Sequence, residues 1–237
     1  MLGALGGAAL AVAVVFAAAA FGYLPQNESA VRGYLVAHPE ILAVMMEKLQ
    51  AQQDDSDDAA RQAAVDRLGL KAFFDPNVAY VTGPEKAKIT FVEFFDYNCP
   101  YCRASLPAVK KFYQQHKNEA RFAFIEFPIK GPDSTFAARA AIAARRQPDK
   151  YIDFFFALMD EQEMATEPLV LGVAKKVGLD IPRLEADMKD PSVDRAIDAS
   201  HNLAMRAKID GTPAFIINGK MREGAIDDDI LNQLTKS

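Results

Sequence analysis

Cysteine is nearly absent from this 237-residue chain, which contains only Cys99 and Cys102. So few thiols exclude a small scaffold held by many disulfides, and with no second cysteine pair a four-thiolate zinc site cannot form within one chain. Histidine is also scarce, and His38, His116 and His201 lie too far apart to read as a metal-binding cluster. There is no long basic run; the one dense charge run, Asp54-Asp55-Ser56-Asp57-Asp58, is acidic, and the formal net charge is -5. Nucleic acid is therefore not an expected partner. With 50% of its residues hydrophobic, the chain has enough apolar mass for one sizeable core plus an appendage, or for two modest domains.

Charge is missing altogether from residues 1–27, and Met1 to Leu24 form a nearly unbroken apolar run. As a helix this run would reach roughly 36 Å, enough for a hydrocarbon core of about 30 Å. Residues 1–24 thus read either as a secretory signal, with Ala17 to Ala20 as its cleavage region, or as an uncleaved anchor. Both place the rest of the chain outside the cytoplasm. A buried core helix is the weaker alternative, because Gly3, Gly6 and Gly7 and the lack of a polar face fit an aqueous helix poorly.

Beyond Pro25 the pattern becomes helical, with Val31, Tyr34 and Leu35, then His38-Pro39, then a stripe at Leu42, Met45, Met46 and Leu49. Such a stripe has to be buried, either on the chain's own catalytic domain or against the same stripe of other subunits. The Asp-rich run 54–58 is expected to separate it from a connecting helix at 59–71, and turn chemistry follows at Asp75-Pro76-Asn77 and Thr82-Gly83-Pro84. A strand at Ile89 to Phe95 runs into Asn98-Cys99-Pro100-Tyr101-Cys102, and helical spacing resumes at Leu106, Val109 and Phe112. A second strand is expected at Arg121 to Phe127, helices throughout 133–208, and strands again at 214–218 and 220–222 before a closing helix. Two β regions flanking a helical insertion make an α/β fold.

The two cysteines therefore sit at the start of a helix, where unpaired backbone N–H groups and the helix dipole favour a thiolate. Cys99 is then the attacking thiol and Cys102, one turn further in, the resolving one. A structural staple is disfavoured because closing so short a loop removes little entropy. A metal would need ligands from another subunit, and inert buried thiols do not suit an exported helix-start site. Glu93, mid-strand among aromatic residues, reads either as a solvent-facing residue of an alternating strand or as a desolvated carboxyl that exchanges protons with Cys102. Pro213, in Gly211-Thr212-Pro213, is a candidate cis proline, although a trans turn is the ordinary form.

The run Phe91 to Cys102, then Glu126-Phe127-Pro128, Gly131-Pro132-Asp133-Ser134, Ala137-Ala138-Arg139-Ala140 and Gly211-Thr212-Pro213-Ala214-Phe215, resembles the DsbA-like branch of the thioredoxin superfamily. Val31-Arg32-Gly33-Tyr34-Leu35 followed by His38-Pro39-Glu40-Ile41-Leu42 is similar to the oligomerising N-terminal region of ScsC proteins, suppressors of copper sensitivity. The resemblance implies a thioredoxin fold at 76–237 carrying the insertion, and a helical oligomerisation region and linker at 26–75. It implies Cys99 as nucleophile, Cys102 as resolving thiol, Glu93 as buried acid and Pro213 as cis proline, with Thr212, Pro100 and Tyr101 meeting substrate.

In the strongest oxidases of that family a histidine stands at the place of Tyr101 and a valine at that of Thr212, whereas isomerase-type members carry a threonine like Thr212. The expected activity is thus disulfide isomerisation or reduction in the periplasm, free or tethered through residues 1–24. A disulfide oxidase is the alternative, and a Cu(I)-binding protein a more distant one. No cofactor and no resident metal are expected. The expected partners are protein thiols and disulfides, a membrane redox protein that resets the site, and further copies of the chain, a trimer by the ScsC resemblance.

Overall fold

The run Ile89–Phe95 forms the central strand that its aromatic and β-branched content predicts, and both of its faces are buried. It is β2 of a five-stranded sheet ordered β1-β3-β2-β4-β5, with β1 at Tyr80–Thr82, β3 at Ala120–Glu126, β4 at Ala214–Ile217 and β5 at Lys220–Glu223. Only the β2–β3 pair is parallel, pairing Glu93 with Phe124 and Phe95 with Glu126. The computed structural model describes residues 28–147 and 149–236, so the charge-free stretch read as a signal or anchor lies outside the described residues. Among the described residues no helix is long and apolar enough to cross a membrane.

The helices are α1 (Glu28–Ala37), α2 (Pro39–Leu68), a 3-10 turn (Leu70–Phe74), α3 (Pro100–His116), α4 (Pro132–Ala144), α5 (Tyr151–Met159), α6 (Glu167–Lys176), α7 (Ile181–Asp187), α8 (Pro191–Ala207) and α9 (Asp228–Lys236). The insertion between β3 and β4 is all helical, as its periodicity predicts. Asp180 caps α7 by accepting from Arg183 N at 3.0 Å, and Asp190 caps α8 by accepting from Ser192 N at 2.8 Å.

The chain divides into two units, Met1–Asp55 and Ser56–Ser237. In the first, Val31, Tyr34, Leu42, Met45, Met46 and Leu49 are all exposed. The separator expected at 54–58 is not a break, because these aspartates lie inside one 30-residue helix. Gln50 Nε2 donates to Asp54 at 2.8 Å and Gln62 Nε2 to Asp66 at 2.8 Å, the i,i+4 pairing that supports a helix rich in acids. The connecting helix expected at 59–71 is accordingly the last turns of α2 followed by the 3-10 turn.

The alternation Phe122, Ala123, Phe124, Ile125 sends successive side chains into two cores. On one face Phe91, Phe95, Phe122, Phe124 and Phe215 pack against α3 and the insertion helices. On the other, Val92, Phe94, Ala123, Ile125 and Ile216 pack against Val65 of α2, Phe73 and Leu203 of α8. Strand β1 was not expected, since Thr82-Gly83-Pro84 reads as a turn; Gly83 has φ 86 and a Cβ there would fall 2.0 Å from the Ala120 carbonyl oxygen. Phe155 of α5 joins the insertion to the sheet, its ring centroid 4.7 Å from that of Phe95 and 4.8 Å from that of Phe124. We expect Phe155→Ala to cost about 3–5 kcal/mol in denaturant unfolding; a loss below about 1 kcal/mol would mean that the insertion does not depend on this joint.

Candidate active site

Strand β2 ends at Phe95 and the chain turns once before α3 begins, which makes Cys99 the N-cap residue of that helix and Pro100 its first residue. Proline suits that place because its missing N–H would have had no helical partner. The turn is held from within: Asn98 N donates to Asp96 Oδ1 at 2.7 Å and Cys99 N to the Asp96 carbonyl at 3.0 Å. It is also held from behind. Asp96 is buried, and its carboxylate accepts from Ser134 Oγ at 2.7 Å, Ile129 N at 2.8 Å and Lys130 N at 2.9 Å. Asn98 adds a second layer, donating to Ser134 Oγ at 3.1 Å and accepting from Ala165 N at 2.7 Å.

Seven positions were singled out from the sequence, and the structure assembles them as follows. Cys99 and Cys102 are both free thiols, 1% and 0% exposed. Between them, Pro100 and Tyr101 are exposed, Tyr101 by 65%. Thr212 and Pro213 come from the loop before β4, joined by a cis peptide bond. The Cys99 thiol donates to the Thr212 carbonyl at 3.1 Å, and the Thr212 hydroxyl is buried without a hydrogen-bond partner. Glu93 is 1% exposed, and its Oε2 has no hydrogen-bond partner either, so the solvent-facing alternative is excluded.

These surroundings pull the two thiols apart chemically. A hydrogen bond from the Cys102 thiol brings Cys99 down from the ordinary 9.0 to about 5, against the opposing effect of burial, and the Thr212 side chain and the amides of Cys102 and Tyr101 add to the lowering. Cys102 is pushed far up instead, first by burial, then by donating to Cys99 and by the nearby charge of Glu93. Burial also drives Glu93 from 4.5 to about 8, with the Cys99 charge adding to the rise. At neutral pH the site therefore holds one thiolate, one thiol and one protonated carboxyl, and the carboxyl that titrates near neutral pH lies close to the Cys102 thiol.

Other residues of the site were not foreseen. Asp96 was read only as part of a longer run, yet Asp-x-Asn before a helix is the chemistry of an Asx turn and was there to be found. Arg103 donates to the carbonyls of Tyr97 at 2.9 Å, Gln162 at 3.2 Å and Glu163 at 2.8 Å, pinning the loop before α6 to the start of α3. Glu126, at the end of β3, pairs with Arg145 and accepts from Tyr151 Oη at 2.7 Å. Among the described residues no group of three or more His, Cys, Asp and Glu side chains is placed to hold a metal.

Residues 90–235 match the family model of the DSBA-like thioredoxin domain, and residues 28–55 match that of the copper resistance protein ScsC N-terminal domain. A thioredoxin-like oxidoreductase from Silicibacter pomeroyi DSS-3 is 40% identical, with TM-score 0.66, covering 71% of this chain and 96% of that one. BcfH of Salmonella enterica Typhimurium is 27% identical over 94% of this chain and 98% of its own, with TM-score 0.71. A probable disulfide bond formation protein D of Bacillus cereus is 29% identical over 61% of this chain and 72% of its own. The curated relatives also include Na(+)/H(+) antiporters named NhaA, of whose length the chain spans 24–26%.

The buried carboxyl gives stability a pH slope. Between pH 4.5 and about 8 the unfolded chain has released the Glu93 proton while the folded one retains it, so this group lowers stability progressively as pH rises through that window. Glu93→Gln removes the slope. We expect the reduced variant to gain about 2 kcal/mol or more over the wild type on going from pH 5 to pH 8 in denaturant unfolding; parallel pH profiles would show that Glu93 is not protonated in the fold.

Proposed function

Because the chain belongs to the DSBA-like thioredoxin domain family, we propose that it is a thiol-disulfide oxidoreductase acting on protein disulfides, working chiefly as an isomerase or reductase. The observation that carries this reading is the opposite displacement of the two thiols, Cys99 down to about 5 and Cys102 far up, at the start of one helix. The Cys99 thiolate attacks one sulfur of a substrate disulfide, forming a mixed disulfide and releasing the other substrate sulfur as a thiolate. In isomerisation another substrate thiolate attacks the mixed disulfide, so that substrate and enzyme end with no net change of redox state. In reduction, the mixed disulfide has removed the Cys99 charge that helped Glu93 keep its proton, so Glu93 releases that proton to solvent and then takes the proton of Cys102 as Cys102 attacks Cys99; the enzyme closes its own disulfide and the substrate leaves with both sulfurs reduced.

The low Cys99 pKa serves either direction, since it makes the thiolate available and makes Cys99 a good leaving group. What favours isomerisation is Thr212 before Pro213, together with the match of residues 28–55 to the ScsC N-terminal domain. Exposed Tyr101 and the Thr212-Pro213 loop flank Cys99 and form the substrate contact. The exposed apolar stripe on α1 and α2 supports association of several copies, with a trimer as the working assembly. The charge-free residues 1–24 support export to the periplasm, and a membrane thiol donor returns the pair to the reduced state. Oxidase activity is the second reading, favoured by the name of the Bacillus relative.

Reactivation of a scrambled-disulfide substrate by the reduced protein in a glutathione buffer separates the two. We expect reactivation that Cys99→Ser abolishes and Cys102→Ser slows without abolishing. No reactivation, with fast oxidation of a reduced substrate by the disulfide form, would establish the oxidase instead. A matching check on the site is ultraviolet titration of the Cys99 thiolate, expected to have its midpoint near pH 5; a midpoint above 8 would remove the basis of both readings.

A further inference from the structure

The Thr212 carbonyl accepts the Cys99 thiol proton, while the Thr212 side chain favours the thiolate, so the loop that carries both sets how the sulfur ionises. That loop is irregular backbone between α8 and β4. Its two ends are tied, Ile209 N donating to the Ala204 carbonyl at 2.8 Å and Gly224 N to the Pro213 carbonyl at 3.0 Å. A third set of contacts comes from one turn of α2. Arg61 is only 16% exposed and spreads three nitrogens over three carboxylates: Nε lies 3.1 Å from Glu223, and the two terminal nitrogens lie 3.6 Å from Asp210 and 3.6 Å from Asp58. Asp210 stands two residues before Thr212. Glu223 is paired across the sheet with Ala214, the residue after Pro213. The next residue of the helix, Gln62, grips the far end of the same hairpin, donating to the Gly219 carbonyl at 2.9 Å and accepting from Met221 N at 2.9 Å.

We propose that Arg61 is a positioning residue for the thiol exchange proposed above, clamping Asp210 and Glu223 on either side of Thr212-Pro213 so that Thr212 stays against Cys99. An isolated surface ion pair would contribute little to such a task. This one is different because Glu223 is only 26% exposed and burial already disfavours its charge, so that loss of Arg61 leaves a partly buried carboxylate with no cation at the hinge of the loop. A planar guanidinium spreads its charge over three nitrogens facing the three carboxylates, whereas an ammonium concentrates it on one atom.

For the two carboxylates charge and position predict opposite signs, and Arg61→Lys keeps the charge while changing the position, which makes the idea testable on the full chain. Neutralising Glu223 or Asp210 removes a negative charge and by charge alone can only favour the thiolate, whereas releasing the loop disfavours it. We expect Arg61→Met, Arg61→Lys and Glu223→Gln each to raise the Cys99 midpoint, cutting the thiolate fraction at pH 5 by about threefold or less steeply for lysine. Asp210→Asn, at an 81% exposed partner, moves it in the same direction by less. A lowered midpoint in Glu223→Gln, full retention of the wild-type value by Arg61→Lys, or no change in Arg61→Met would overturn the clamp. If Arg61→Met does not fold, Glu223→Gln and Arg61→Lys decide the matter. The titration requires no turnover, so absence of isomerase activity in the wild type would refute the proposed function and leave this test standing.

Discussion

A carboxylate withdrawn from water is tolerable only when its lone pairs are met, and Asp96 meets that condition with hydrogen bonds from Asn98 N, Ser134 Oγ, Ile129 N and Lys130 N. These donors belong to three stretches of chain: the turn after β2, the loop after β3 and the first turn of α4. One side chain thereby fixes the end of the central strand, the crossing to the helical insertion and the bend that makes Cys99 an N-cap. The thiol chemistry rests on that bend. If α3 began a residue earlier or later, Cys99 would not stand where the amides of Tyr101 and Cys102 turn towards its sulfur.

Access to solvent does not distinguish the two cysteines, since both are sealed in the resting dithiol. Their difference comes from what faces each sulfur. Cys99 receives donors from the helix start and from Cys102 itself, and the Thr212 side chain beside it also favours a negative sulfur. Cys102 donates that hydrogen bond, and burial and the Glu93 and Cys99 charges outweigh the one backbone hydrogen bond, at Asp96, that favours its ionisation, so the same contact that helps one thiol ionise holds the proton on the other. The asymmetry is thus a property of the pair.

Much of this was legible from residue types and spacing, because the relevant signals are local. Strand Ile89–Phe95 and the helix after it were readable from periodicity, and the helices of the insertion from their prolines and Asp caps. What failed was local evidence overruled by its surroundings. Four aspartates within five residues look like a break, yet exposed acids cost a helix little when a glutamine four residues away holds one of them, Asp54, and Ala64 and Val65 anchor the next turns. Strand β1 is three residues long beside a turn motif, and it exists only because β3 offers an edge. For Glu93 and Pro213 the residues alone favoured the ordinary forms, a solvent-facing side chain and a trans peptide. It was the longer pattern of motifs that pointed to burial and to the cis bond found before β4.

The two carboxyls on the α3 side of the sheet show how far surroundings decide the role of a residue type. Glu93 and Glu126 lie on the same face, since Glu93 is two residues from Phe95 and Phe95 is the strand partner of Glu126. Both are 1% exposed, and burial raises both pKa values. Glu126 is answered by Arg145 and by the Tyr151 hydroxyl, which offset that rise and tie β3 to α4 and α5. Glu93 has no cation beside it, one of its oxygens is unpartnered, and the nearest charge is the like charge of Cys99. A carboxyl matched to a guanidinium serves the fold, because moving its proton would break the pair. A carboxyl left unmatched costs the fold stability and gains a proton that it can exchange near neutral pH. The stability given up at Glu93 is therefore the physical sign that this carboxyl, and not Glu126, is the one available to the thiols.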